Sequence, residues 1–253
     1  MTHSDKANLL GFLARLNSRS LLSDQEQQAL LDIPVHAELV EAKCDFVGMG
    51  DRTSHATLVI QGVVGCFDQN IRGSRQITAL HISGDMANLG SVVHPRASSA
   101  LQALSTSTIL HVPHAELRRL AARYPAIAEA FWRDCTVDAV ITSQWIVNLG
   151  RRDAKARLAH LLCELGVRFR LGGDTHSLGF SFPLTQMQLA DATGMSAVHM
   201  NRLVQALGGV VSLSGGRVEI IDWAKLSEIG DFDPGYLDAK VMPEAVRALT
   251  FER

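Results

Sequence analysis

Residues that could read a nucleic acid lie within the segment LTQMQLADATGMSAVHMNRLVQAL, residues 184–207. An Arg side chain can donate two hydrogen bonds to guanine, an Asn amide suits adenine or a phosphate, and a small apolar side chain can meet the methyl group of thymine. A short stretch supplies these types: Ser196, Ala197, Val198, His199, Asn201 and Arg202. Arg202 is the strongest candidate for a base contact, and its alternative role is an ion pair or a phosphate contact. His199 suits a base or a phosphate equally.

Two short helices must position these side chains. Thr185 can cap the first helix, Gly194 permits the positive φ of a tight turn, and Ser196 can cap the second helix. Ala190 is small where the two helices approach each other. Four residues are apolar where they would face a core: Leu189, Met195, Met200 and Leu203. The pattern predicts a helix-turn-helix, with an αα-hairpin of an all-α subdomain as the alternative.

Two predicted strands follow these helices. Residues 210–213 and 218–221 are rich in Val and Ile, and the glycine turn Ser214-Gly215-Gly216-Arg217 joins them. Helices followed by such a hairpin predict a winged helix-turn-helix, whose second helix enters the major groove while the wing touches phosphates. Thr185, Gln186 and Arg217 complete the predicted set of DNA-binding residues.

Charge is distributed unevenly along the 253 residues, although the formal net charge is only −2. Residues 150–217 carry eight Lys and Arg against four Asp and Glu, and residues 218–253 carry four against eight. The basic group is Arg151, Arg152, Lys155, Arg157, Arg168, Arg170, Arg202 and Arg217. A local positive field favours DNA, with a solvated helix face as the alternative. The acidic tail is expected to pack on the DNA-binding domain or on a partner subunit, away from DNA.

The N-terminal half reads as β structure. Four short strands, at residues 56–61, 63–67, 75–81 and 108–112, alternate with glycine turns and no helical pattern intervenes. This spacing favours an antiparallel β-roll or barrel over a parallel α/β sheet. Before it, residues 6–31 show a helical pattern with a capping signal at Ser23-Asp24-Gln25-Glu26.

A long helix is predicted between these parts, because apolar residues after Pro125 recur with helical spacing up to about Gly150. Its apolar stripe is broadened by Trp132, Val137, Val140, Ile146 and Val147. The helix is either sandwiched between two domains or paired with its copy in a homodimer, and the dimer is favoured. The predicted fold class is α+β: a β-roll domain with flanking helices (1–125), a dimerisation helix (126–150), and a winged helix-turn-helix domain with an acidic tail (151–253).

In this order of elements the chain resembles the Crp-Fnr superfamily of bacterial transcription regulators. The helix-turn-helix, the wing SGGRVEI and the passage TSQWIVNLGRRDAKARLAHLL carry the resemblance. It implies a homodimer on double-stranded DNA, a partly palindromic operator with half-sites about 34 Å apart, and contact with RNA polymerase if the protein is an activator. The family usually places Glu four positions before the Arg of the recognition helix. Val198 stands there, so a different operator sequence is expected.

The resemblance also marks candidate effector residues. Members that bind cyclic nucleotides use a Gly-Glu pair and then an Arg-Ser pair around the ribose and phosphate, whereas this chain has Gly84-Asp85 and Ser98-Ser99. The candidates are Asp85, Asn88, Arg96, Ser98, Ser99, Thr142 and Ser143. A cyclic nucleotide is disfavoured because its phosphate would be buried without a matched Arg. It is not excluded, because Arg96 lies only two residues early and Thr142-Ser143 matches the helix positions that meet the base in those relatives. Another small effector, or none, stays open, and no cofactor is assigned.

Other classes of function find less support in the sequence. An enzyme is disfavoured because neither a P-loop, a nucleophile elbow nor a cupin-like histidine cluster occurs. An adaptor whose helix-turn-helix binds protein is disfavoured by Arg202 and the local positive charge. The ten histidines show no metal-binding spacing, and the four cysteines lack CxxC pairing and are expected to be buried, reduced thiols. A cytoplasmic protein without a membrane partner is expected, with a hinge at residues 148–153.

Overall fold

The N-terminal segment is helical. The computed structural model describes residues 3–171 and 179–237, beginning with α1 (His3–Asn17) and α2 (Asp24–Leu31). At the start of α2 the Ser23 hydroxyl accepts a hydrogen bond from the Glu26 amide, and the Glu26 carboxylate accepts one from the Ser23 amide. The predicted capping signal is therefore confirmed as a capping box.

Seven strands then form the predicted β-roll from two antiparallel sheets. The first sheet contains, in spatial order, β1 (His36–Val40), β7 (Ser107–Pro113) and β3 (His55–Gln61). The second contains β2 (Asp45–Val47), β6 (Ala100–Ala103), β4 (Val64–Gln69) and β5 (Arg75–His81). The four predicted strands correspond to β3, β4, β5 and β7. Gly62 turns the chain between β3 and β4 at φ +89, where an added Cβ would lie 2.3 Å from the Ser107 Oγ.

Two helices lead out of the roll: α3 (His114–Arg123) and α4 (Pro125–Arg151). The 27-residue α4 begins with Pro125, whose fixed φ suits the first turn of a helix. One face of α4 is buried against the rest of the chain, and it includes Ile127, Phe131, Val137, Ile141 and Trp145. Val137, which the broad stripe had included, thus belongs to the core of the subunit.

The C-terminal part is a winged helix-turn-helix. It contains α5 (Ala154–Leu171), β8 (Gly179–Ser181), α6 (Gln186–Thr193), α7 (Ala197–Ala206), β9 (Val211–Ser214), β10 (Arg217–Ile220) and α8 (Trp223–Gly230), then a 3₁₀ turn at Pro234–Leu237. The predicted hairpin is β9 and β10, and β8 adds a third antiparallel strand beside β10. Because β8 is only three residues long, its apolar pattern is too short to be recognised in the sequence.

The β-roll and the C-terminal part share one apolar core. It runs from Ile77 and Leu80 of β5, past Trp145 of α4, to Leu162 of α5 and Met200 of α7. A second core packs α1, α2, α3 and α4 against the first sheet. In this arrangement α6 lies directly against β5. None of the described helices is long and apolar enough to cross a membrane.

Several expectations need correction. Gly150 lies inside α4, and the helix ends at Arg151, followed by Arg152 in an extended conformation at φ −90 and ψ 145. The change of direction therefore falls at the C-terminal end of the expected hinge. All four cysteines are free, but only Cys163 is buried, while Cys44 is exposed. The tail packs on α5 and α4 as far as Leu237, and its remainder, residues 238–253, lies outside the described residues.

Candidate nucleic-acid interface

Local hydrogen bonds define both helices of the helix-turn-helix. The Thr185 hydroxyl accepts from the Gln188 amide at 3.2 Å, and the Gln188 side chain accepts from the Thr185 amide at 2.7 Å, which makes a second capping box. Gly194 ends α6 in the left-handed region at φ +65. The Ser196 hydroxyl then accepts from the His199 amide at 3.3 Å and begins α7. The predicted caps and the glycine turn are all confirmed.

The two sides of α7 differ sharply. Met200 and Leu203 are buried against the domain core, with 0% and 9% of their surface exposed. On the other side, Val198, His199, Asn201 and Arg202 are exposed, together with Ser196 before the helix; Ala197 is half-buried. Most of the predicted base-reading residues are thus exposed to solvent on a helix whose opposite face packs on the domain core.

Residues outside α7 extend this surface. Thr185 and Gln186 are exposed at the beginning of α6, and the Gln186 amide donates to the Asn201 side-chain oxygen at 3.4 Å. Arg217 is exposed at the start of β10, beside the wing turn in which Gly215 and Gly216 both have positive φ. A cavity of about 170 Å³ separates the wing from the helices, and Gln186 and Arg217 both line it. The arrangement provides hydrogen-bond donors on a helix and on a hairpin, as groove and phosphate contacts require.

The basic residues of the middle segment do not all belong to this surface. Arg168 is buried against Asp85 and Glu164, Arg157 donates to the Thr193 carbonyl at 2.9 Å, and Arg152 donates to the Asp231 carbonyl. The expectation of one positive field from all eight residues is therefore wrong. The exposed ones are Arg151, Lys155, Arg202 and Arg217. The side chain of Arg170 lies outside the described part.

A second candidate site is a cavity of about 290 Å³ in the β-roll. Asn88, Arg96, Ser98 and Ser99 all line it, so the structure brings together four of the candidate effector residues. Cys66, Ser91 and His94 also line the cavity and were not foreseen, because no local pattern distinguishes them from other roll residues. Ser91 is held by the His114 ring, whose Nε2 lies 2.7 Å from the Ser91 Oγ.

The other three effector candidates do not line this cavity. Asp85 is 4% exposed, and its carboxylate is bound by Arg15, Arg168 and the Ile82 amide. The assignment of Asp85 to the effector site is therefore corrected: its two oxygens are occupied by arginines of the same chain. Thr142 and Ser143 are exposed on α4, where the Thr142 hydroxyl donates to the Asp138 carbonyl at 2.9 Å. Among the described residues, no group of three metal-binding side chains is close enough to hold a metal ion.

Comparisons with known proteins match both domains. Residues 40–124 match the model of the cyclic nucleotide-binding domain, and residues 156–229 match that of the Crp-like helix-turn-helix domain. The fumarate and nitrate reduction regulatory protein of Vibrio cholerae is 23% identical over 82% of this chain and 84% of its own. The anaerobic regulatory protein of Haemophilus influenzae is 24% identical over 82% of this chain and 81% of its own.

Solved structures share this fold over most of the chain. FixK2 from Bradyrhizobium japonicum superposes with a TM-score of 0.70 at 20% identity, covering 78% of this chain and 98% of its own. The c-di-GMP-responsive global regulator CLP of Xanthomonas campestris superposes with a TM-score of 0.59 at 15% identity, covering 78% of this chain and 99% of its own. With a cyclic nucleotide-binding domain followed by a Crp-like helix-turn-helix, this chain belongs to the Crp-Fnr family of DNA-binding transcription regulators.

Proposed function

We propose that the protein is a homodimer that recognises a partly palindromic operator through α7 of each subunit. The observation that carries this proposal is the exposed face of α7, where His199, Asn201 and Arg202 face solvent while Met200 is fully buried behind them. In a two-fold dimer, two such helices would enter successive major grooves about 34 Å apart. Arg217 and the first turn of α6 would contact the phosphates that flank each half-site.

The outer face of α4 supports the homodimer. Opposite its buried residues, α4 exposes a continuous face that carries no charge over five turns: Trp132, Thr136, Ala139, Val140, Ser143, Ile146, Val147 and Gly150. Trp132 and Ile146 are 71% and 67% exposed in the single subunit. Since an apolar helix face at this spacing is typical of helix pairing, we propose that two copies of α4 pack along this face.

The β-roll cavity departs from the cyclic-nucleotide pattern at two places. Asp85 cannot serve the ribose, because its carboxylate is bound by Arg15 and Arg168. Ser98 and Ser99, which stand where the pattern has Arg-Ser, contribute hydroxyl groups to the cavity lining, and Arg96 is the one arginine among the described residues that line it. We therefore propose that operator binding needs no cyclic nucleotide, and that any effector of this cavity is a different small molecule.

Replacement of Arg202 by Ala tests the role of α7. We expect the affinity for the operator to fall by about 1–3 kcal/mol, with the preference for one base position relaxed, because a bidentate contact to guanine is lost. Fluorescence anisotropy on the operator and on its single-base variants measures both effects. Arg72→Ala is the matched control, since Arg72 is also exposed but lies on the β-roll. An equal loss on every sequence would assign Arg202 to a phosphate instead.

A further inference from the structure

Arg15 of α1 contacts three carboxylates from two other parts of the chain. Its Nε donates to the Asp134 Oδ1 at 2.6 Å, and its Nη2 donates to the Asp138 Oδ1 at 2.8 Å, both on α4. Its Nη1 donates to the Oδ1 of Asp85, which follows β5 in the β-roll. The Arg15 side chain is only 11% exposed. One guanidinium thus joins α1, α4 and the roll.

Asp85 continues this connection into the DNA-binding domain. Its second oxygen accepts a hydrogen bond from the Arg168 Nη2 on α5 at 2.7 Å, and both side chains are 5% exposed. Arg168 also donates to the Leu80 carbonyl at 2.7 Å and to Glu164 at 3.1 Å. Asp85 is therefore bound on one side by the N-terminal helix and on the other by the first helix of the DNA-binding domain.

Arg19 supplies a second connection from the same helix. Its Nη1 donates to the Asp134 Oδ1 at 3.0 Å, and its Nη2 donates to the carbonyl of Leu237 at the C-terminal end of the described chain. Leu237 belongs to the 3₁₀ turn in which the Tyr236 hydroxyl donates to Glu164 of α5 at 2.9 Å. Both arginines of α1 thus bond Asp134 of α4 directly. They are connected to α5 indirectly, Arg15 through Asp85 and Arg19 through the 3₁₀ turn.

Such buried charges add little net stability, since the loss of hydration offsets most of their attraction. They orient the elements that carry them, because the planar guanidinium donates its hydrogen bonds in fixed directions. An apolar core is not directional, whereas the bonds from Arg168 to Asp85 and to the Leu80 carbonyl fix where α5 meets the end of β5. The groups involved come from four separate elements, so the network constrains how the elements sit together.

We propose that Arg15 is a positioning residue for DNA recognition: through Asp85 and Arg168, it fixes the DNA-binding domain relative to the β-roll and α4. The inference rests on the proposed homodimer, because only a dimer needs its two recognition helices at a defined separation. While the network is formed, α6 is docked on the roll: Gln188 donates to the Leu104 carbonyl at 2.8 Å and Gln76 to the Ala192 carbonyl at 3.2 Å. The recognition face of α7 stays exposed, so this position is compatible with DNA binding.

The test compares a whole operator with a single half-site. The probe is the duplex that the wild-type protein selects from a random pool, used intact, cut to one half-site, and with one base pair inserted at its centre. For Arg15→Gln we expect about a 10-fold loss of affinity for the intact operator, less than about a twofold change on the half-site, and a weaker penalty for the insertion. Arg119→Gln is the control, because Arg119 pairs only with Glu116 at the surface.

The variant Arg15→Lys and hydrogen exchange without DNA test the same role of Arg15 independently. Arg15→Lys keeps the charge that balances the buried carboxylates but carries it on one nitrogen in place of the three that bond Asp85, Asp134 and Asp138. We therefore expect a folded protein that, like Arg15→Gln, loses affinity for the intact operator and not for the half-site. Hydrogen exchange should rise at residues 75–81 and 186–193, where β5 and α6 meet, and stay unchanged in β3 and β7. Equal losses on the operator and the half-site, or unchanged exchange at the β5–α6 contact, would overturn the inference. Failure of the wild-type protein to select any duplex would instead count against the proposed function.

Discussion

Replacement of Ile146 by Glu is expected to yield a monomer whose operator affinity is lower by about two orders of magnitude. The side chain is 67% exposed in the subunit, so the substitution leaves the subunit core intact. In a dimer paired along α4 it would place two carboxylates within an apolar interface, where each lacks a partner. A monomer binds one half-site at a time, and the gain from linking two binding events, about 10²- to 10⁴-fold, is lost.

Light scattering and DNA titration measure the two effects together. Ile71→Glu is the matched control, because Ile71 is fully exposed in the turn between β4 and β5 and the substitution adds the same charge. We expect this control to remain dimeric with unchanged affinity. A dimeric Ile146→Glu protein with full affinity would contradict pairing through the outer face of α4.

Acid is expected to destabilise the protein through His81, whose imidazole is buried. Burial lowers the pKa of His81 to about 4, and the nearby Arg168 and Arg15 act in the same direction, while Asp85 and Asp134 partly oppose them. Because the folded state binds the proton less readily than the unfolded state, the stabilising contribution is complete above about pH 6.5 and disappears as the pH falls towards 4. The loss amounts to about 3 kcal/mol, of which about 2 kcal/mol is gone at pH 5.

Urea unfolding at pH 7 and pH 5 measures this loss, with His81→Gln as the variant that lacks the titrating group. We expect the variant to be less stable at pH 7 but to lose about 2 kcal/mol less than the wild type on acidification. Asp85 contributes separately at lower pH: burial raises its pKa, but Arg15 and Arg168 outweigh this and bring it to about 2, so its contribution is lost only below about pH 4. An equal loss in both proteins between pH 7 and 5 would show that His81 is not the responsible group.

The features that could be predicted from the sequence are those set by neighbouring residues. The caps at Ser23, Thr185 and Ser196 and the turn at Gly194 depend on contacts within three or four residues, so the local pattern was sufficient. The exposed side of α7 followed from helical spacing for the same reason. These elements include most of the candidate DNA-binding surface.

Asp85 shows where local pattern is insufficient. Its position after Gly84 resembles the pair that holds a ribose in related proteins, yet its partners Arg15 and Arg168 are 70 and 83 residues away in the chain. Nothing near Asp85 in the sequence indicates that these arginines occupy its carboxylate. The same applies to Arg168, which counted toward a positive surface and proves to be buried. Charged residues that pair over long distances must be located in the structure.

Asp134 was missed for a related reason. The apolar period of α4 is clear, and an acidic residue within it would normally be placed on the solvent side. In the structure Asp134 is 1% exposed and is bound by both Arg15 and Arg19 of α1. The sequence shows the period of the helix but not which polar residues another helix neutralises.

Selection of bound duplexes from a random DNA pool by the purified protein, with no ligand added, tests whether α7 reads an operator. We expect an inverted repeat with half-sites about one helical turn apart, bound with an affinity that falls steeply between about 50 and 200 mM salt, the range over which phosphate contacts are weakened. We expect the same motif when cyclic AMP is present during the selection. Enrichment of no motif under either condition, with weak and sequence-independent binding, would contradict the assignment of α7 as a reader of operator DNA.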